Sequence, residues 1–335
     1  MVFSEANSSP PKSLITVVGC GALGQFYAAQ LIHAGHEVRL LARRDAAKLA
    51  QRGLFLHQTP TPTIASTALF PILTISPQRF SLGTDALTWQ GAAPADWLLV
   101  ALKATAIDSA QALVAPLIGP NTGIVVMCNG LGLEDRFADW FGAAHIFGML
   151  CYVGVSRDDD GTVRHHAYGH VGVGHYLDEP QARLRLEQLC QSAGIECHAN
   201  ESLLEARWRK LTWNLTFNGL CLLFDCTTKD IVEVPERRDM ARALATEVVD
   251  LGNRDLEAHG QPTRIEPTWA EAQLRLSDTM GAYAPSTLLD ARAGRPIEWE
   301  PLFAEPARRA ERLGAKVPTL QALLVGLKAR GVGNG

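Results

Sequence analysis

Apolar and β-branched residues run from Ser13 as SLITVVG, pass into the glycine-rich GCGALG, then recur with helical period through QFYAAQLIHAG before a second apolar run, HEVRLLAR. An apolar run, a glycine turn, period 3.6 and a second apolar run predict a strand–helix–strand unit. Further runs at WLLVAL, GIVVMC and HIFGML predict strands, and TAIDSAQALVAPLIG and LEDRFADWFG between them predict helices. Such alternation implies a parallel sheet covered on both faces. The segment from Leu54 to Trp89 departs from this rhythm and reads as extra strands or an excursion at the sheet edge. Between Tyr152 and Tyr176, DDDG reads as a turn and VRHHAYGHVGVGHY alternates, which predicts a β-hairpin that closes the first domain.

After Ile195 to His198 the strand signals nearly stop. Long helical patterns follow in SLLEARWRKLTWNLTFNGLCLLF, ERRDMARALATEVVDLGNRDLEAHG, WAEAQLRLSDTM and EPLFAEPARRAERLG. The expected architecture is α/β: a Rossmann-type doubly wound sheet over residues 13–198, then an all-α domain over 199–330. The opening MVFSEANSSPPK reads as a loose tail, and GVGNG at the end should fray.

Composition narrows the partners. At 335 residues the chain exceeds one ordinary core, which agrees with two domains. A net charge of -4 leaves no basic excess for phosphate backbones or anionic lipid, so nucleic acid and membranes are poor partners. No apolar run reaches the roughly 20 residues of a membrane span. Seven cysteines without a CxxC pair fit a reducing cytosol better than a disulfide framework. A soluble, cytoplasmic protein acting on a small molecule is expected, with no metal.

Gly19, Gly21 and Gly24, with Ala22 and Leu23 between the last two, form GxGxxG at a strand-to-helix junction. In that context the first glycine permits a tight turn, the second lets a pyrophosphate approach, and the third lets helix and strand pack closely. The pyrophosphate would sit on the free N–H groups of the following helix. A turn serving only packing is the alternative. Where an NAD site would place an acid for the ribose 2′-hydroxyl, this chain has Arg43 followed by Arg44. A guanidinium there favours a 2′-phosphate, hence NADPH, although Asp45 lies next door and paired arginines also occur as solvated charge.

Ligands gather at the carboxyl ends of parallel strands, where Lys103 and Asn129 follow WLLVAL and GIVVMC. Asn129 before Gly130 is equally good turn chemistry. In ARWRKLTWNLTFNGLCLLF, Lys210, Asn214 and Asn218 recur every four residues and form a polar seam on a largely apolar helix. A buried seam needs partners. Neighbouring helices could satisfy it, with Lys210 at the surface. A chemical reading makes Lys210 the acid that polarises and protonates a ketone oxygen while hydride arrives at carbon.

The runs VVGCGALGQ, VALKA, CNGLG, WRKLTWNLTFN and APSTLLDARAGRPIEWE resemble the ketopantoate reductase (2-dehydropantoate 2-reductase) family over nearly the whole chain after the tail. The resemblance implies reduction of 2-dehydropantoate to (R)-pantoate with NADPH, on the route to pantothenate and coenzyme A. Carried over by motif, it makes Lys210 the general acid and Glu298 its acidic partner. It also implies that Ser286 holds the substrate carboxylate and that Asn214 and Asn218 bind substrate hydroxyls, with Asn129 and Lys103 at the nicotinamide end. The run before Ser286 departs from the pattern, with Tyr283 and Pro285 where polar residues are expected. Without the resemblance, Ser286 reads as the N-cap of a helix beginning at Thr287, and Glu298 as a solvated charge.

Other readings stay open. A related 2-keto or 3-hydroxy acid dehydrogenase would share the architecture and differ in substrate, and a non-catalytic NADP-binding sensor would bind the nucleotide without turnover. A sugar phosphate dehydrogenase would need a basic cluster, which the seam lacks. A homodimer is also open. Burial should lower the Lys210 pKa and Glu298 should raise it, so the sequence does not fix the net direction.

Overall fold

The run LITVV becomes the central parallel strand of the sheet because its residues meet apolar neighbours on both faces. In the computed structural model, which describes residues 12–58 and 72–333, this strand is β1 (Leu14–Val18). It is followed in chain order by β2 (Glu37–Leu41), β3 (Leu54–Gln58), β4 (Ile72–Ile75), β5 (Ser81–Gly83), β6 (Trp97–Val100), β7 (Gly123–Val126), β8 (Ile146–Arg157), β9 (Val163–His175) and β10 (Cys197–Ala199). β1 pairs in parallel with β2 and β6, and β6 with β7. Every residue of β6 and β7 is buried, as a sheet covered on both faces requires.

The strand order is β4-β3-β9-β8-β7-β6-β1-β2-β5, with β10 beside β9. The Leu54 to Trp89 excursion therefore contributes to both ends of the sheet: β3 and β4 pair antiparallel beyond β9, and β5 returns beside β2. Residues 59–71 of the excursion lie outside the described residues. Because only the short helix Ala46–Arg52 separates β2 from β3, the sheet curls so that its two ends approach. The helix Ala22–His33 fills that curl with Phe26, Tyr27, Leu31 and Ile32, all buried. The hairpin forms as expected around the DDDG turn, with β8 and β9 antiparallel and irregular near Tyr152 and Gly154.

The opposite face is covered less regularly than expected. TAIDSAQALVAPLIG is not one helix: a 3₁₀ stretch (Ala104–Ser109) precedes a single α turn (Ala110–Val114), which stops before Pro116. Proline there lacks the N–H that helix continuation needs, and it disfavours helical geometry just before it. LEDRFADWFG does form the helix Leu133–Phe141.

The second half is helical. The expected long helix runs from Leu203 to Phe224, but its middle, Asn214–Asn218, is a π turn. Its Trp208 packs on Gly252 of the helix Pro235–Ala258, where a Cβ would lie 3.1 Å from the indole, and donates to Asp255 at 2.8 Å. A second π turn, Glu300–Ala304, leads into the helix Glu305–Arg312. Helices Pro180–Ser192 and Pro318–Ala329 lie outside the patterns picked out from the sequence. Among the described residues no helix is long and apolar enough to cross a membrane, and no group of acidic, histidine or cysteine side chains is placed to hold a metal.

Candidate active site

The glycine turn is built by three different constraints. Gly19 has φ +96°, and a Cβ there would stand 2.8 Å from the backbone of Ala101 and Leu102. A Cβ on Gly24 would stand 2.1 Å from the Gly19 carbonyl oxygen, so strand and helix meet backbone to backbone. Gly21 is the opposite case, with nothing within 4 Å of its missing side chain. No side chain caps the helix that begins at Ala22, which leaves the first-turn N–H groups around Ala22 and Leu23 open to an external acceptor. Two glycines thus close the turn and the third keeps its outer side clear. That cradle fits a dinucleotide pyrophosphate.

At the end of β2, Arg43 and Arg44 are exposed, and neither has a hydrogen-bond or ion-pair partner among the described residues. Asp45 is committed elsewhere. It pairs with Arg157 of the hairpin, whose guanidinium also donates to the Cys20 carbonyl at 3.3 Å. Arg43 and Arg44 are thus the unpaired charges at this strand end, whereas Asp45 is paired.

The chemical end assembles where the helical half meets the carboxyl ends of β6, β7 and β8. Lys210 Nζ donates to the Cys151 carbonyl on β8 at 2.6 Å and lies 5.0 Å from the centre of the Tyr152 ring. Burial lowers its pKa to about 8, with Arg207 pushing the same way and Glu298 opposing. Burial therefore wins the contest that the sequence left open. An ammonium has three donors, and the Cys151 bond uses one.

Glu298 is not a solvated charge. Its Oε1 accepts from the Ala104 backbone N–H at 2.9 Å, and the Asn129 side chain also donates to it. Burial nevertheless raises its pKa, against the pull of these bonds and of Lys103. Lys103 forms an ion pair with Asp290, which also accepts from Arg295 at 2.9 Å. Asn129 sits in a turn as well as in the site: Gly130 has φ +95°, and a Cβ there would strike the Pro301 carbonyl at 2.4 Å. The next residue, Leu131, donates its N–H to that carbonyl at 3.0 Å.

Asn214 and Asn218 are both buried, and the Asn218 carbonyl oxygen has no hydrogen-bond partner. The π turn that carries them widens the helix by about one residue per turn, a distortion that recurs at functional sites. Ser286 is exposed at the first position of the helix Ser286–Arg292. The cap is Pro285 and not Ser286, with no side-chain capping bond, which corrects the expectation of a helix beginning at Thr287.

Three contributors escaped the sequence reading. The Cys151 carbonyl and Tyr152 reach the site by a long-range pairing of a strand with a helix, and no local signal marks them. Asp290 was legible in principle, being four residues beyond Ser286 and so on the same helix face. Arg207 faces away from the seam: its guanidinium binds Glu134 and donates to the carbonyls of Cys128 at 2.7 Å and Val126 at 2.9 Å. Arg209 bonds Glu205 and stacks on Trp269.

Two family models, described as ketopantoate reductase PanE/ApbA and its C-terminal counterpart, match residues 15–178 and 202–331. The chain belongs to the ketopantoate reductase family. It is an oxidoreductase by that membership. A 2-dehydropantoate 2-reductase from a Nostoc species is 27% identical over 319 residues, 93% of each chain. One from Mesorhizobium japonicum is 25% identical over 92% of this chain and 95% of that one. Among solved structures, a 2-dehydropantoate 2-reductase from Geobacter metallireducens superposes with a TM-score of 0.85, at 31% identity over 95% of this chain and 99% of that one. A D-mandelate dehydrogenase solved with NADH and anilino(oxo)acetate also shares the fold, with a TM-score of 0.79 at 18% identity over 94% of this chain and 97% of that one. The fold alone therefore does not select the keto acid.

Proposed function

We propose that this chain reduces 2-dehydropantoate to (R)-pantoate with NADPH. One observation carries the reading: an ammonium from the helical half is delivered to the carboxyl ends of the sheet strands, within electrostatic reach of Glu298 and on the same helix as a buried, unpartnered Asn218 oxygen. NADPH would be held with its pyrophosphate at the Gly19 to Gly24 turn and its 2′-phosphate by Arg43, and its reduced nicotinamide would supply the hydride.

This chain's residues do the rest. Lys210 polarises the keto oxygen through a free N–H and gives its proton to that oxygen as the alcohol forms. Glu298 holds the lysine in its charged form and, with Asn129 donating to it, fixes the floor of the site. Asn218, and Asn214 one turn before it, offer amide groups to a substrate hydroxyl. Ser286 and the clasp of Lys103 with Asp290 close the carboxylate end. The substrate is a small molecule, and the family likeness to a dimeric ketopantoate reductase from Staphylococcus aureus makes a homodimer the assembly to test by light scattering.

NADPH oxidation by the purified protein should respond to 2-dehydropantoate and much less with NADH. Lys210→Ala should cut kcat by roughly two to four powers of ten with NADPH affinity nearly unchanged. No oxidation with any 2-keto acid would make the protein a nucleotide-binding sensor. Full turnover in Lys210→Ala would remove the lysine from the chemistry.

A further inference from the structure

Beneath the Lys210 ammonium lies a stack of rings that the reduction itself does not use. The Tyr152 ring centre is 5.0 Å from Nζ, inside the range in which an ammonium is held by the negative face of an aromatic ring. Tyr152 also stacks on His170 of β9, with ring centres 4.9 Å apart and planes only 14° from parallel. His170 in turn meets the edges of His198 on β10 and of Tyr168 on β9, at 5.4 and 6.2 Å. Three adjacent strands therefore hold one ring flat under one ammonium.

The arrangement is unusual in what it leaves out. A buried lysine is ordinarily kept charged by a carboxylate that pairs with it, yet among the described residues Lys210 has no ion pair. Its partners are a carbonyl oxygen and a ring face. Both stabilise the ammonium without accepting its proton, whereas a directly bonded carboxylate would compete with the keto oxygen for it.

We propose that Tyr152 is a positioning residue for Lys210, its ring face holding the ammonium in place and protonated while His170 holds the ring. The proposal rests on Lys210 being the proton donor. The charged and titratable groups within electrostatic reach of this pair and its supporting His170 are Arg207 and Arg209 from the lysine's own helix, both engaged elsewhere, Cys151 beside Tyr152 on β8, Glu196 and His198 at β10, and Glu298 from the segment before the second π turn. Removing the Tyr152 ring changes no formal charge at neutral pH, because burial holds its hydroxyl protonated.

The test is a ring series at position 152, with two readouts. Tyr152→Phe keeps the ring face and should keep the pH at which kcat falls on the alkaline side. Tyr152→Leu removes the face and should move that fall to lower pH by about half a unit to one and a half units, the range expected of one cation–π contact. Phenylalanines carrying one to three ring fluorines keep the shape and weaken the face stepwise, so the fall should move stepwise with them. This series decides the matter if the leucine variant folds poorly. The second readout is the Lys210 titration followed by NMR on the cofactor-free protein, its signal assigned by its loss in Lys210→Arg. It should shift in parallel.

A native alkaline limb in Tyr152→Leu, a flat fluorine series, or equal shifts in Tyr152→Phe and Tyr152→Leu would overturn the proposal. Failure of the underlying reading looks different. The alkaline limb would then persist in Lys210→Ala, whatever stands at position 152.

Discussion

Lys210 must be buried to act selectively and charged to act at all. Its pKa of about 8 lies close to working pH, where a general acid both carries its proton and releases it readily. The sign follows directly: turnover should be level near neutrality and fall as pH rises through about 8, because the ammonium is lost. Glu298 raises that pKa through its charge, so Glu298→Gln, which retains an acceptor for the Ala104 N–H, should move the fall to lower pH. A pH profile of kcat measures it, and an unmoved limb would separate Glu298 from the lysine. Lys210, Asn214 and Asn218 were legible because a four-residue spacing is a local fact about one helix. Tyr152 and the Cys151 carbonyl were not, because they meet Lys210 only after strand and helix have packed.

At the scale of elements, the glycine turn separates architecture from ligand binding. Gly24→Ala puts a methyl 2.1 Å from the Gly19 oxygen, a collision of backbone with side chain that neither element can avoid. Gly21→Ala meets nothing within 4 Å, and its φ of -73° suits alanine. Gly24→Ala should therefore lower the melting temperature and weaken NADPH binding together. Gly21→Ala should leave the melting temperature within a degree or two and weaken NADPH about tenfold or more. Calorimetric melts with fluorescence titrations check both, and unchanged NADPH affinity in Gly21→Ala would remove the nucleotide from this turn. The strands of this unit were readable because each is a short, mostly apolar run. What defeated sequence reading was nonlocal or finely local: β3 pairs with residues about a hundred positions away, and the two π turns differ from α-helix by one residue. The helix Pro318–Ala329 was available in principle, with proline at its start and Leu320, Leu323 and Leu327 buried along one face.

At the scale of the whole molecule, the sheet half and the helical half are joined by polar links as well as by the packing of Leu203 and Ala206 on Leu150. Lys103 pairs with Asp290, Arg309 with Asp135 at 2.7 Å, and Pro301 receives Leu131. Arg207 is the most deeply placed of these links, its side chain 4% exposed against 6% for Glu134, and it anchors the helix bearing Lys210 to the carbonyls at the end of β7. Burial already raises the Glu134 pKa although Arg207 pulls it down. Arg207→Met should thus cost about 3–5 kcal/mol of stability, since it strands a buried carboxylate. That loss should deepen as pH rises. A carboxyl whose folded pKa is raised binds its proton more tightly folded than unfolded, so its stabilisation is complete at acid pH and vanishes as pH climbs through the folded value. Glu134→Gln in the Arg207→Met background should recover part of the loss and flatten its pH dependence. Denaturant melts at pH 5 and pH 8 measure all three. A loss below about 1 kcal/mol, or one independent of pH, would mean that the position of Lys210 over β8 is set by apolar packing and not by this clamp.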